Sequence, residues 1–365
     1  MNYGHKKRPL GKFGINLKML KSEKILITGN MGYVGSYLTK YLKKNMTNTL
    51  LLGLDTGLFG SQLNTNLPIP EVFCDQHIFK DIRNIDKTDL KNIDKIVHLA
   101  AISNDPIGNQ FETITNEINY EASKKLIQLA CRSNVSHFVF ASSCSVYGAS
   151  DNKLRSEVDE VFPITAYAKS KIETEKFVLK KKFNDMLFTS LRFSTACGLS
   201  PRIRLDLAIN DFVASAIVNK KIALNSNGLA WRPFIDVHDM SRAIHWALQR
   251  NNNDGGQKLI VNVGKNENNY LIKDLAEKIA KKINGVDLYL GKNSKQDKRS
   301  YKVDFTRYTE LAKDFLPIKT IDNTIEDLIM NINVKNFDLS NQIRLNTINQ
   351  LIKKNFISRD LKWLL

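Results

Sequence analysis

The sequence predicts an α/β fold, a doubly wound parallel sheet with a smaller C-terminal lobe. Three observations carry this. Short apolar runs of strand length alternate with helical periodicity from Lys24 to Arg192. A glycine cluster stands between the first apolar run and the first helix. After Arg192 the pattern loosens into short helices, near Asp206 to Lys220 and Leu271 to Lys282, among short strands and loops. Strands that alternate with helices form parallel sheets, because parallel neighbours need a crossover connection.

In chain order, Lys24 to Thr28 reads as a buried strand. Tyr33 to Lys44 reads as a helix, with Val34, Leu38 and Leu42 four apart on one face. Thr49 to Asp55 is a second strand that ends in an acid, and Lys95 to Ala101 is another. A helix over Tyr120 to Arg132, a strand over His137 to Ser143, a helix over Tyr167 to Lys181 and a strand over Met186 to Arg192 follow. Such sheets bind ligands at the carboxyl ends of their strands, where the topology switches.

Composition narrows the classes. Of 365 residues, 42% are apolar and 25% charged, which suits a chain with a sizeable core rather than a disordered one. The net charge of +17 raises a nucleic-acid reading, but the basic residues are spread along the chain and no nucleic-acid motif accompanies them. No nucleic-acid partner is therefore expected, and the positive field favours a small anionic substrate. The four cysteines show no metal-ligand spacing, so no metal is expected and they read as reduced thiols of a cytoplasmic protein. No apolar run is long enough for a membrane span, and the basic N-terminus precedes no signal-peptide core.

The first loop reads Thr28-Gly29-Asn30-Met31-Gly32-Tyr33-Val34-Gly35, a GxxGxxG pattern between strand and helix. Gly29 suits the tight turn, Gly32 lets backbone approach a pyrophosphate, and Gly35 allows close helix–strand packing. Free N–H groups at the helix start favour phosphate charge. Asp55, twenty positions after Gly35, can accept hydrogen bonds from the ribose hydroxyls of NAD and would repel the extra phosphate of NADP. Glycines alone are weak evidence, whereas glycines in this context with Asp55 are a specific signal for a Rossmann-type site. The expected partition is a basic extension over 1–22, an NAD-binding domain over 23–195 with 232–265 returning to it, and a substrate-binding lobe over 196–231 and 266–365. The lobe ends in a polar helical tail.

Tyr167 and Lys171 lie four apart at the start of a helix and so share a face, and Ser143 ends the strand before it. This trio suits reversible alcohol oxidation. A phenol near pKa ~10 is a poor base at neutrality, and a nearby ammonium and a positive nicotinamide both lower it. Tyr167 can then take the hydroxyl proton, with Ser143 holding the same oxygen and Lys171 the nicotinamide ribose.

With these pieces in order the chain resembles the extended short-chain dehydrogenase/reductase family of nucleotide-sugar epimerases and dehydratases, from about Lys24 to about Val334. The matching segments are Thr28 to Gly35, Asp55, Asp81-Ile82-Arg83, His98-Leu99-Ala100-Ala101, Asn119, Ser142 to Gly148, Tyr167 to Lys171 with Glu175, Leu191-Arg192-Phe193, Arg232 to Val237 and Val261 to Gly264. The resemblance implies that Asp81 and Ile82 flank the adenine. It implies that Leu99, Ala100 and Ala101 line the cofactor with Asn119 and Ser142, and that Ser103 and Thr195 face the substrate. Arg232 is the implied clamp on the substrate diphosphate, Arg299 a second candidate, and Arg202 and Arg204 compensating phosphate ligands in an unusual loop. A homodimer through a four-helix bundle of the helices near Tyr120 to Arg132 and Tyr167 to Lys181 is also implied, with surface glycan precursors (lipopolysaccharide or capsule) as the setting.

Departures from the family pattern bear on the reaction. The 4,6-dehydratases of the family carry Asp-Glu after the catalytic hydroxyl; this chain has Cys144 and Ser145 there. Dehydration then lacks its carboxyl pair, and Cys144 reads as a packed thiol. The expectation is epimerisation at sugar C4 through a 4-keto intermediate. A net C4 dehydrogenase or 4-keto reductase is the alternative, and a non-catalytic dinucleotide-binding protein would require a disabled trio.

Overall fold

The structure is a computed structural model that describes residues 22–63, 67–103, 105–224, 226–291, 299–332 and 342–364. The basic extension expected over 1–22 lies almost wholly outside these residues. The strands are β1 (Glu23–Thr28), β2 (Thr49–Asp55), β3 (Gln76–Phe79), β4 (Lys95–His98), β5 (His137–Ser143), β6 (Ala149–Arg155), β7 (Leu187–Phe193), β8 (Thr195–Cys197), β9 (Lys221–Leu224), β10 (Trp231–Asp236), β11 (Lys258–Val263), β12 (Asn269–Leu271), β13 (Asp287–Leu290) and β14 (Ser300–Val303). The helices are α1 (Tyr33–Asn45), α2 (Asp105–Gln110), α3 (Glu112–Asn116), α4 (Ala122–Arg132), α5 (Ala166–Lys180), α6 (Ala208–Asn219), α7 (Val237–Gln249), α8 (Ile272–Lys282), α9 (Thr306–Leu311), α10 (Ile321–Asn331) and α11 (Arg344–Lys353).

Seven parallel strands form the central sheet in the order β11-β7-β5-β4-β1-β2-β3. The order reverses between β1 and β4, so the ligand crevice opens there, at the carboxyl ends. Side chains alternate across the sheet. Ile25 and Ile27 enter the core shared with α1 and α7, whereas Leu26 enters the opposite core with Phe138, Phe140 and Phe188 against α4. Burial on both faces explains why these strands read as continuous apolar runs. A second lobe packs α6, α8 and α10 around Phe234, with β9 and β13 paired. Asp236 starts α7 by accepting the His238 N–H at 2.8 Å, and Thr165 starts α5 by accepting the Ala168 N–H at 3.2 Å. Among the described residues no helix is long and apolar enough to cross a membrane.

Several expectations need adjustment. The helix expected from Tyr120 begins as a single π turn over Glu117–Glu121. β3 was invisible to periodicity because it is four residues long and only partly buried. The region after 266 does not stay in the second lobe: Tyr308 and Ala312 are buried in the core that holds Ile25 and Ile27. Among the described residues of the tail, the helix is α11, and a turn closed by the Ile357–Trp363 bridge follows it. That tail packs through Ile348, Ile357 and Leu361 against Ile107, Leu58 and Phe59 beside the sheet, not against the second lobe's core.

Candidate active site

A cleft of about 710 Å³ opens at the strand carboxyl ends, lined by the glycine turn, Asp55, Asp81, Ile82, Leu99 to Ser103, Ser142, Ser143, Tyr167, Lys171, Thr195, Arg204, Arg232 and Arg299. Most of the residues expected from the sequence therefore meet in one space. Gly29 has φ +78° and its backbone lies so close to Ala100 that a Cβ would meet Ala100 N at 2.7 Å. A Cβ at Gly35 would stand 2.2 Å from the Gly29 carbonyl oxygen. The turn thus needs its glycines for backbone approach, the cradle a dinucleotide pyrophosphate requires. Asp55 accepts the Gly57 N–H at 2.9 Å and the Met31 N–H at 3.1 Å, which orients its carboxylate at the end of β2. Burial raises its pKa, and those two N–H groups pull it back down. Two further lone pairs remain for ribose hydroxyls. These features fit NAD.

Tyr167 is half-buried in the cleft wall. Burial pushes its phenol up to about 12, against the opposing pulls of hydrogen bonding with Ser143 and of the Arg204 charge. The Lys171 Nζ lies 5.4 Å from the Tyr167 ring centre and 4.6 Å from that of Phe140. Burial lowers Lys171 to about 7, only partly offset by Glu175. In the protein by itself, desolvation therefore dominates both groups, and Lys171 alone does not make Tyr167 basic.

A buried network fixes the parts. The Glu175 carboxylate on α5 accepts from Ser142 at 2.7 Å, from Ser190 at 2.8 Å and from Arg192 at 2.7 Å. Arg192 donates in turn to the Tyr147 hydroxyl at 3.0 Å, which donates to Asn262 at 2.8 Å. Helix α5, which carries Tyr167 and Lys171, is thereby tied to β5, which carries Ser143. Asn119 clamps the backbone after β4, accepting the Ile102 N–H at 2.8 Å and donating to the Ile102 carbonyl at 2.9 Å.

Other expected residues sit differently. Asn30 turns under the sheet, 3.2 Å from His77, and neither it nor the Met31 side chain lines the cleft; Asn119 also supports the wall from behind. Tyr33 reaches the cleft but its hydroxyl donates to the Gly198 carbonyl at 2.7 Å. Arg202 lies outside the lining and pairs with Glu71 at 2.7 Å, so its expected place on a substrate phosphate is corrected. Arg204 does line the cleft, but it is committed to Asp206 at 2.6 Å and to the Ser103 hydroxyl at 2.9 Å. A basic loop residue satisfies itself on the nearest carboxylate, which the sequence does not reveal. Arg232 stacks 5.0 Å from the Tyr301 ring and donates to the Trp231 carbonyl at 2.9 Å. Arg299 pairs with Asp105, and both face the cleft. Cys144 is fully buried, its thiol donating to the Arg192 carbonyl at 3.1 Å, as expected of a packed thiol. Sequence reading missed Asp105, Asp206, Tyr301 and the tail residues Arg344, Ile348 and Leu361, all in the lining. No local pattern marks them, since each arrives by tertiary folding.

Comparison with known proteins agrees with this geometry. The model of the NAD dependent epimerase/dehydratase family matches residues 25–264. A Bacillus subtilis (strain 168) protein described as an uncharacterized UDP-glucose epimerase, YtcB, is 30% identical over 230 residues, which span 60% of this chain and 71% of that protein. A Homo sapiens dTDP-D-glucose 4,6-dehydratase is 23% identical over 254 residues, 67% of this chain and 70% of its own. Among solved structures, the UDP-glucuronic acid 4-epimerase from Bacillus cereus in complex with UDP-glucuronic acid and NAD superposes with TM-score 0.67 at 24% identity, over 84% of this chain and 98% of that one. The chain belongs to the NAD dependent epimerase/dehydratase family and is an NAD-dependent nucleotide-sugar enzyme.

Proposed function

We propose that the protein epimerises a nucleotide-diphosphate sugar at C4 through a 4-keto intermediate. The observation that carries this is the composition of the cleft wall around Tyr167. Ser143 and Lys171 are in place, while the two positions after Ser143 hold the buried thiol of Cys144 and the hydroxyl of Ser145 instead of carboxyls. Asp105 faces the cleft, but its carboxylate is tied to Arg299. Loss of water from the sugar needs an acid and a base beside the ring, and the two positions after Ser143 supply no carboxyl for it.

NAD supplies reversible hydride acceptance at the substrate carbon when bound. Gly29, Gly32 and Gly35 cradle its pyrophosphate, Asp55 takes the ribose hydroxyls, and Asp81 and Ile82 flank the adenine. Tyr167 removes the proton from O4 and later returns it. Ser143 donates a hydrogen bond to O4 and, with Lys171, stabilises the negative charge as it develops. Arg232 holds the substrate diphosphate, and Thr195 and Ser103 border the sugar. The positive charge of a bound nicotinamide would oppose the desolvation that raises the Tyr167 phenol.

The same reading places the enzyme in the cytoplasm, supplying precursors of surface glycans, as a homodimer through α4 and α5. The half-exposed Leu179 on α5 is the kind of residue such a contact covers. The test uses UDP-glucose carrying deuterium at C4. Epimerisation with the label retained at C4 supports the proposal. Stoichiometric accumulation of reduced cofactor, or solvent-derived label at C5 with loss of water, would defeat it.

A further inference from the structure

The tail after 342 forms a strap across the cleft. Its start touches the second-lobe side, where the Leu205 N–H donates to the Gln342 carbonyl at 3.4 Å. Its far end touches the sheet side: the Trp363 indole donates to the Thr56 carbonyl at 2.7 Å, next to Asp55, and Arg83 donates to the Asp360 carbonyl at 2.9 Å, next to Ile82. Leu361, with φ 57°, is 2% exposed and lines the cleft. The strap therefore covers the end of the cleft at which Asp55, Asp81 and Ile82 stand.

Arg344 is the first residue of α11, 6% exposed, with its guanidinium 4.3 Å from the Phe59 ring centre. Its Nη2 is the atom 3.8 Å from where a Cβ on Gly32 would be. It thus stands over the glycine whose missing side chain opens the turn. Its Nε is buried without a hydrogen-bond acceptor, and no carboxylate among the described residues pairs with it. Burial and the neighbouring charge of Arg204 pull its pKa down to about 9, and the carboxylates of Asp206 and Asp55 offset this only in part. Arg202 and Arg204 have partners in Glu71 and Asp206. A buried guanidinium nitrogen with no acceptor is costly unless something negative completes it.

We propose that Arg344 is a ligand of the NAD diphosphate and that segment 342–364 straps the adenosine half of the cofactor into the cleft. This rests on NAD occupying the cleft as described above. A diphosphate at the glycine turn gives the Nε donor the anionic oxygen it lacks and lies within reach of Nη2, a planar match for a guanidinium. NAD then leaves only when the strap lifts, which suits a cofactor regenerated within each turnover.

The test compares the cofactor-stripped wild-type protein with Arg344→Met, which keeps the stem on Phe59, and Arg344→Lys, which keeps the charge. Titrations use adenosine, ADP and NAD, and hydrogen exchange follows the amides of 342–364. Arg344→Met should weaken ADP and NAD roughly tenfold to a hundredfold, the range for charge-assisted hydrogen bonds, with adenosine little changed. Arg344→Lys should fall between, and NAD should protect the strap amides in the wild type. Unchanged ADP affinity in Arg344→Met, or parallel loss for adenosine and ADP, would overturn the ligand role. Strap amides that exchange equally with and without NAD would overturn the strap. Failure of the wild-type protein to bind NAD at all would overturn the placement of the cofactor and the inference with it.

Discussion

Glu175 of α5 and Arg192 of β7 form an ion pair inside the protein, with Oε2 2.7 Å from Nη2 and both side chains almost wholly shielded from water. Burial opposes the Arg192 charge, and Glu175 more than restores it. Removing one partner strands the other. Glu175→Gln should destabilise the fold by about 3 kcal/mol, within the range for breaking a buried pair. Urea unfolding monitored by circular dichroism measures it, and a loss under about 1 kcal/mol would mean that Tyr147 and the substituted amide hold Arg192 without the charge.

Tyr167→Phe removes the proton acceptor and leaves the cleft wall in shape. Turnover of a sugar nucleotide should fall at least about a hundredfold, in keeping with the loss of a general base. NAD binding measured by titration should stay within about twofold. Full activity in this variant would remove Tyr167 from the reaction.

Lys171 is buried, with its pKa drawn down to about 7. Lys171→Met has similar volume and no charge to desolvate, so it should raise the melting temperature of the cofactor-free protein by a few degrees while abolishing turnover. Sites that hold function at the expense of stability behave this way. A lower melting temperature would show that the ammonium's ring contacts outweigh its desolvation.

His98 lies between Thr28 at 2.6 Å and Ser123 at 2.8 Å, and burial, helped by the Lys171 charge, lowers it from 6.5 to about 3. Between those values the unfolded chain binds a proton that the folded chain refuses. The stability due to the neutral ring is complete above pH 6.5 and is lost as pH falls toward 3. Melting temperature should therefore drop across this window, and His98→Asn should lessen the slope whatever its absolute stability. Parallel slopes for the two proteins would assign the acid sensitivity to other groups.

Gly35→Ala places a methyl group 2.2 Å from the Gly29 carbonyl, a backbone atom that cannot swing aside. The turn must open, so NAD affinity should fall at least about tenfold, with about 1–3 kcal/mol of stability lost to overpacking. Equal NAD titration curves would show that the turn adapts.

What was legible in the sequence was local. The glycine turn, Asp55, Ser143, Tyr167 and Lys171 each sit at a strand end or on a helix whose periodicity identifies it, and all of them reach one cleft. The arginines were less legible. Charge on a loop says that a partner exists but not which one, and Arg202 found Glu71 while Arg204 found Asp206. The short β3 and the tail turn carry too few buried residues for a periodic signal. Arg344 is the extreme case, since it meets Gly32 only because the tail crosses the sheet edge.

The burial of Tyr308 and Ala312 in the core that also holds Ile25 and Ile27 bears on how the chain is made. On the ribosome, the first strand emerges long before the residues that complete its hydrophobic surroundings. Parallel pairing already favours slow closure, and here one core waits for a segment almost three hundred positions downstream. Nascent chains arrested before Ala312 has left the exit tunnel should remain protease-sensitive around β1, and chains arrested beyond it should not.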